Sequence, residues 1–286
     1  MLLQRKWKQN NSTSEQEHGA TTTLRVMQWN ALADGLATSF INCTPEMLSW
    51  NFRRSLALEN CLQEDPDILC LEECDHFEDW FLPHLSAAGY DGEFVAKTNE
   101  TKDGCAVFVR QSRFRIIDCS KFYYEPGQQS QCALILELND VQLNRNFVLT
   151  CTHWKSKPPH AELRERHAKL LTARLITARM KEDGSLMPLI LCGDLNCEDD
   201  EKSVQSLLAP PLNLHFSHTL PYSTWKERSS GVVCHLIDYV LVSDDFHCLQ
   251  YLDIPAEGEV RPGFLPSRSY PSDHISLCVD LCVSGK

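Results

Sequence analysis

The stretch from Pro188 to Asp200, PLILCGDLNCEDD, is apolar up to Gly193 and then presents a carboxyl and an amide two positions apart, Asp194 and Asn196. A buried strand delivers polar groups in this way at the end where it leaves the core. The same transition occurs in three other runs. DILCLEEC closes on Glu72 and Glu73, NFVLTCTHWKSK passes through His153 to Lys155 and Lys157, and VMQWN ends in Asn30. Asp238 is enclosed by apolar neighbours in LIDYVLV, so its carboxylate is expected to be buried, and a buried charge needs a partner. SYPSDHISL offers one in His274, preceded by Asp273. An aspartate on one ring nitrogen fixes the tautomer and favours the imidazolium, which presents its other N–H to a substrate. Oxygen ligands without thiolate suit a hard cation, Mg²⁺ or Mn²⁺.

Each group also has a plainer explanation. Asparagine at a strand end commonly initiates a turn. Adjacent residues of an extended chain face opposite ways, so only one of Glu72 and Glu73 can address a shared site, and charge at a strand end is often simply solvated. Period two puts Cys151, His153, Lys155 and Lys157 on one side, a surface that turns from apolar to cationic and suits phosphate oxygens. An ordinary exposed strand end has the same pattern, and the basic excess between Lys155 and Lys181 also fits the solvated face of a helix.

The elements that would position these groups are short apolar runs at LRVMQW, DILCL, CAVFV, FRIID, CALILEL, NFVLTCT, LILC, LIDYVLV and ISLCVDL. Most are continuous rather than alternating, which predicts strands buried on both faces. TPEMLSWNFRRSLALENCL reads as one helix with Thr44 as N-cap and Pro45 in its first turn. FEDWFLPHLSAAG reads as a shorter helix ending at Gly89, and HAELRERHAKLLTARLITARMKEDG as a third. Two facing sheets with helices outside accommodate this many buried strands; a single doubly wound sheet is the competing architecture. One catalytic domain over residues 24–286 is expected, behind a flexible arm over residues 1–23.

With 286 residues, 43% of them hydrophobic, the chain can build a sizeable core. A formal charge of −12 argues against a protein that holds nucleic acid through a general basic surface, while leaving room for a small anionic substrate in a locally basic pocket. The fourteen cysteines sit mostly inside apolar runs and no Cys-x-x-Cys pair occurs, so they read as core residues of a reducing compartment rather than disulfides or a zinc site. No run reaches membrane-spanning length. Arg5, Lys6 and Lys8 suit mitochondrial import whereas Glu15 and Glu17 count against it, so the expectation is a cytoplasmic protein with mitochondrial targeting of some forms.

WN (29–30), CLEE (70–73), TH (152–153), GDLN (193–196), IDY (237–239) and SDH (272–274) occur in this order over about 245 residues. Together they resemble the motif series of the exonuclease–endonuclease–phosphatase superfamily. DPDILCLEECDHF, DGCAVF, PYSTWKERSSG and LPSRSYPSDH add a likeness to its deadenylase-like branch. The resemblance implies an α/β, four-layer αββα sandwich. It implies that Glu73 is the main Mg²⁺ ligand, supported by Asn30 and with Asp273 near the metal. It implies that Asp194 directs the attacking water, Asn196 binds a phosphate oxygen, and His274, held by Asp238, stabilises developing charge. Substrate contacts would come from Lys97, His153, Trp154, Lys155 and Lys157 together with Asp194, Asn196 and His274. The implied activity is removal of the 2′-phosphate from NADP⁺ and NADPH by a monomer; the alternative is 3′-to-5′ poly(A) exoribonuclease action on RNA. Lys157 stands where the family has arginine and Ser130 where it has asparagine, departures that bear on substrate contact.

Overall fold

The structure, a computed structural model, describes residues 2–10, 23–98, 103–125, 131–260 and 263–283; Ser130 lies outside them. The first half of the chain forms β1 (Trp7–Gln9), β2 (Thr23–Asn30), α1 (Pro45–Leu48), α2 (Trp50–Gln63), β3 (Ile68–Cys74), α3 (Leu82–Ala87), β4 (Tyr90–Ala96) and β5 (Gly104–Arg110). It continues with β6 (Phe114–Tyr123), β7 (Cys132–Asp140), β8 (Arg145–His153), α4 (Ala161–Arg179), β9 (Leu189–Asp194), α5 (Lys202–Leu208) and β10 (His215–Phe216). Last come β11 (Thr224–Arg228), β12 (Gly231–His235), β13 (Asp238–Val242), β14 (Phe246–Leu252), α6 (Glu257–Val260) and β15 (Leu277–Val283).

Seven strands form one sheet in the order β1-β14-β15-β2-β3-β5-β4, six form a second in the order β10-β13-β9-β8-β7-β6, and β11 and β12 make a separate hairpin. Alternation along each buried run explains why the runs are continuously apolar. Val26, Ile68 and Cys70 meet Leu134, Leu149, Cys151, Ile190 and Val240 between the sheets. Their neighbours Met27, Leu69 and Leu71 pack outward on Ala57, Cys61, Phe81 and Leu85. On the other side Ile135, Val148, Leu191 and Leu241 pack on Ala168, Leu171, Leu175, Val204 and Leu207 of α4 and α5. The result is the expected four-layer αββα sandwich, not a single doubly wound sheet. All fourteen cysteines are free thiols, and all but Cys43, Cys119 and Cys234 are buried. Among the described residues no helix is long and apolar enough to cross a membrane.

Local structure departs from expectation at three places. The helix read from Thr44 onward breaks at Ser49: Thr44 Oγ1 accepts from the Met47 N–H, and the Ser49 hydroxyl then caps α2 by accepting from the Phe52 N–H. Phe77–Phe81 forms a turn of π-helix leading into α3. The flexible arm is a correction where it is described, because β1 pairs antiparallel with β14 at the sheet edge and Leu2 is buried. Arg5 fixes this segment by donating to the carbonyls of Asp253, Leu252 and Ser276, and Trp7 donates to Glu64 beneath the Arg25 guanidinium. Residues 11–22 lie outside the described part.

Register brings the polar strand ends together. Parallel pairing of β8 and β9 sets His153 beside Asp194, and antiparallel pairing of β9 and β13 sets Asp194 beside Asp238. In the facing sheet, Asn30 lies beside Glu72. Gly193 allows this approach, since a Cβ there would meet the Thr152 carbonyl oxygen at 2.4 Å. Gly193→Ala is therefore expected to destabilise the fold by roughly 1–3 kcal/mol and to spread β8 from β9. Thermal unfolding checks this; an unchanged Tm would show that the glycine is not required for the approach.

Candidate active site

At one end of the sandwich the strand termini open into a cleft of about 410 Å³. Glu73, Lys97, His153, Lys155, Lys157, Asp194, Asn196, Asp273 and His274 all line it, so nearly every residue expected from the sequence converges there. Leu32, Glu73, Lys157 and Asn196 among its lining residues have positive φ, a conformation uncommon for residues with side chains and concentrated at functional sites. Glu73, at φ 52°, coincides with a register shift between Leu71 and Cys74 in the β3–β5 pairing. The bulge re-aims the chain so that Glu73 faces the cleft while Glu72 enters the core.

Asp194 is fixed by two donors: the Asn196 backbone N–H to Oδ1 at 2.9 Å and the Asn30 amide to Oδ2 at 2.9 Å. Burial, reinforced by Asp238, raises its carboxyl to about 7, the range useful to a general base at neutral pH. Asp238 Oδ2 accepts from His274 Nδ1 at 2.8 Å and from the Ser223 hydroxyl at 2.6 Å. Burial opposes charge on His274, but the carboxylates of Asp238, Asp273 and Asp194 outweigh it and raise the imidazole to about 9. His274 is thus an imidazolium at neutral pH, with Nε2 4.0 Å from Asp273 Oδ2.

His153 is held in the opposite state. Its Nδ1 lies 3.0 Å from Lys97 Nζ, an obligate donor, so the ring proton resides on Nε2, 3.5 Å from Asp194 Oδ2. Burial and then Lys97 depress its basicity well below the usual range. The expected cationic face therefore contains a neutral N–H donor in place of one cation. Lys97 itself is paired with Asp103 at 2.6 Å.

The alternation read through His153, Lys155 and Lys157 ends with β8 at His153, yet both lysines still reach the cleft. Arg164 of α4 shapes their loop by donating to the carbonyls of Lys155 and Lys157, each at 2.9 Å, while paired with Glu201. Trp154 also lines the cleft, but its indole is fully buried in the core beneath α4, donating to the Tyr124 hydroxyl, while its carbonyl accepts from the Asn196 amide. Glu72 is likewise buried rather than solvated, and burial pushes its carboxyl well above the usual range.

Sequence reasoning missed Lys226 and Arg228, which line the cleft from β11 of the β11–β12 hairpin. Lys226 is ion-paired with Asp273, and Arg228 lies 3.5 Å above the Phe40 ring. Although burial works the other way, Lys226 and His274 pull the Asp273 carboxyl down to about 2. Alternation in TWKER, which puts Lys226 and Arg228 on one face, was the available signal.

Among the described residues, the carboxylates and imidazoles closest to metal-ligand spacing are Asp194, Asp238 and His274, within 4.8 Å of one another. That cluster is already organised around the His274 ring proton. Glu73 fits a cation better: Oε2 accepts only the Ala33 N–H at 3.2 Å, and among the described residues no donor reaches Oε1. With Asp273 in the same cleft, the donors are oxygens suited to a hard divalent ion. Asn30 is buried behind them, its amide nitrogen on Asp194 and its oxygen accepting the Leu32 N–H.

A model of the Endonuclease/Exonuclease/phosphatase family matches residues 27–274. Nocturnin of Xenopus laevis is 35% identical over 293 residues, covering 93% of this chain and 74% of that protein. Nocturnin of Homo sapiens is 36% identical over 283 residues, covering 90% of this chain but 64% of that protein. The solved human nocturnin catalytic domain with bound sulfate superposes with a TM-score of 0.77 at 30% identity, covering 98% of this chain and 97% of that one. ANGEL2, a 2′,3′-cyclic phosphatase, shares the fold at a TM-score of 0.86 and 19% identity, over 99% of both chains. This chain belongs to the endonuclease/exonuclease/phosphatase family of hydrolases, and its relatives include the nocturnins.

Proposed function

We propose that the protein is a Mg²⁺-dependent phosphoric monoester hydrolase that removes the 2′-phosphate of NADP⁺ and NADPH, giving NAD⁺ and NADH. The observation that carries this reading is the confinement of Lys97, Lys155, Lys157, Lys226 and Arg228 to one cleft around Glu73, Asp194, Asn196 and His274, in a chain of net charge −12. A small polyanion profits from such a cleft, whereas a long nucleic acid needs an extended basic track. The likeness to nocturnin supports the same class of chemistry. A monomer carries all of these groups.

In this reading Glu73 would hold Mg²⁺, with Asp273 and Asn30 supporting the oxygen set. When bound, the ion supplies positive charge to the phosphoryl oxygens. Asp194, fixed by Asn30 and Asn196, takes a proton from the attacking water. The Asn196 amide and the Nε2–H groups of His153 and His274 donate to phosphoryl oxygens, while Lys97, Lys155 and Lys157 neutralise the phosphate. These groups work by positioning and electrostatic stabilisation.

Glu73→Ala and chelation by EDTA are each expected to abolish phosphate release from NADPH while leaving far-UV circular dichroism unchanged. Near-normal Mg²⁺-dependent turnover by Glu73→Ala would remove that residue from the metal site.

Turnover is expected to follow a bell in pH. It rises through about 7 as Asp194 loses its proton and falls through about 9 as His274 loses its own. Asp238→Asn, which keeps the shape but not the charge that favours the imidazolium, should lower turnover and move the alkaline limb to lower pH. An unchanged profile from pH 5 to 10 would reduce Asp238 to a structural role.

Lys155→Ala and Lys157→Ala should each lower kcat/KM for NADPH by roughly ten- to a hundredfold, the value of a charge-assisted hydrogen bond. Lys157→Arg should retain or raise it, because a guanidinium offers a bidentate contact. An oligoadenylate measured with the same preparations tests the exoribonuclease alternative. Efficient cleavage of that RNA, steeply dependent on salt, with no phosphate released from NADPH, would replace the proposal.

A further inference from the structure

Beneath the Asp238–His274 pair lies a residue that the chemistry above leaves unused. Gln28 of β2 is fully buried between the sheets, and its amide nitrogen donates in two directions, to Asp238 Oδ1 at 3.0 Å and to Glu72 Oε2 at 2.7 Å. Its own amide oxygen is buried and meets no donor among the described residues. Such an orphaned acceptor is uncommon and calls for an explanation. Methionine would fill a similar volume in this apolar interior without the defect. What methionine lacks is the pair of N–H groups.

Those N–H groups have a specific task. Asp238 Oδ2 is shared between Ser223 and His274, whereas among the described residues the hydrogen bond to Oδ1 comes from Gln28. Two oxygens held from two directions fix the carboxylate plane; with Oδ1 released the group can rotate and carry Oδ2 away from the imidazole. The Asp238 carboxylate, an acceptor only, selects the Gln28 amide nitrogen over its oxygen; Glu72 holds that nitrogen from the other side, while its other oxygen takes the Cys151 thiol at 3.2 Å. The chain Cys151, Glu72, Gln28, Asp238, His274 crosses from one sheet to the other and back, so the packing of the sandwich is transmitted to the ring.

We propose that Gln28 is a positioning residue for His274, acting through Asp238, with Glu72 holding its amide nitrogen from the other side. This rests on the proposed role of the Asp238–His274 pair. The test is a double-mutant cycle with NADPH: wild type, Gln28→Met, Asp238→Asn and the double variant, each checked for a cooperative thermal transition. Gln28→Met is expected to lower kcat about tenfold or more with KM within about twofold, and to cause no further loss once Asp238 is Asn. Glu72→Leu, which keeps Gln28 but removes the second acceptor of its amide nitrogen, should show a smaller loss that also disappears in the Asp238→Asn background, and it serves in its place should Gln28→Met fail to fold. Equal losses in both backgrounds, or unchanged kcat in the folded variant, would overturn the proposal. Absent turnover of NADPH by the wild type would count against the substrate rather than this inference, and the same cycle is then read with an oligoadenylate.

Discussion

A carboxylate buried between two sheets is the feature around which this site is arranged. Asp238 lies on an interior strand with almost no access to water, where an unpartnered charge would be prohibitive. The fold answers by bringing donors from three separate segments: Gln28 from β2, Ser223 ahead of the hairpin, and His274 ahead of β15. Satisfying that one charge ties Ser223, ahead of the hairpin, and His274, ahead of the last strand, to β13 and favours the protonated form of His274. Asp194, the register neighbour of Asp238, feels the same charge and is raised toward neutrality by it after burial. The two carboxyls and the two histidines are therefore one electrostatic unit, in which His274 is charged and His153 is neutral for reasons that can be named atom by atom.

The backbone around this unit is less relaxed than the sheets that support it. Glu73 adopts positive φ at the bulge within β3, Asn196 just beyond the end of β9, and Lys157 in the loop that Arg164 secures from α4. Such conformations persist where the surroundings over-determine them. Here the constraints are the β3–β5 bulge at Glu73, the Asp194–Asn196 backbone bond with the Trp154 carbonyl at Asn196, and a buried guanidinium at the lysine loop. Rigid elements thus hold short irregular segments, and the irregular segments hold the side chains that face the cleft.

The cleft also reconciles an acidic chain with the proposed anionic substrate. Most acidic residues lie elsewhere, whereas cations arrive from the β4 end, the β8–α4 loop and the β11–β12 hairpin. Three of them already have internal partners, Lys97 on Asp103 and both Lys226 and Arg228 on Asp273. Their positions are set before any ligand arrives, so a ligand meets preorganised charge rather than flexible side chains that must be ordered on binding.

The sequence alone marked nine of the strands and determined that most would be buried on two faces, that Asn30, Glu73, His153 and Asp194 would stand where strands leave the core, and that Asp238 would be buried with a partner. These follow from local periodicity and from the expense of burying a polar group without a partner. It could not reveal that the Trp154 indole turns inward, that Glu72 joins a hydrogen-bonded line instead of facing solvent, that the face shared by Lys226 and Arg228 meets the cleft, or that residues near the start of the chain form an edge strand. Each of those depends on partners remote in sequence: Asn30 reaches Asp194 across 164 positions and Gln28 reaches Asp238 across 210. Periodicity fixes the face a side chain takes on its own strand, but only the packing of one sheet against the other decides what that face meets.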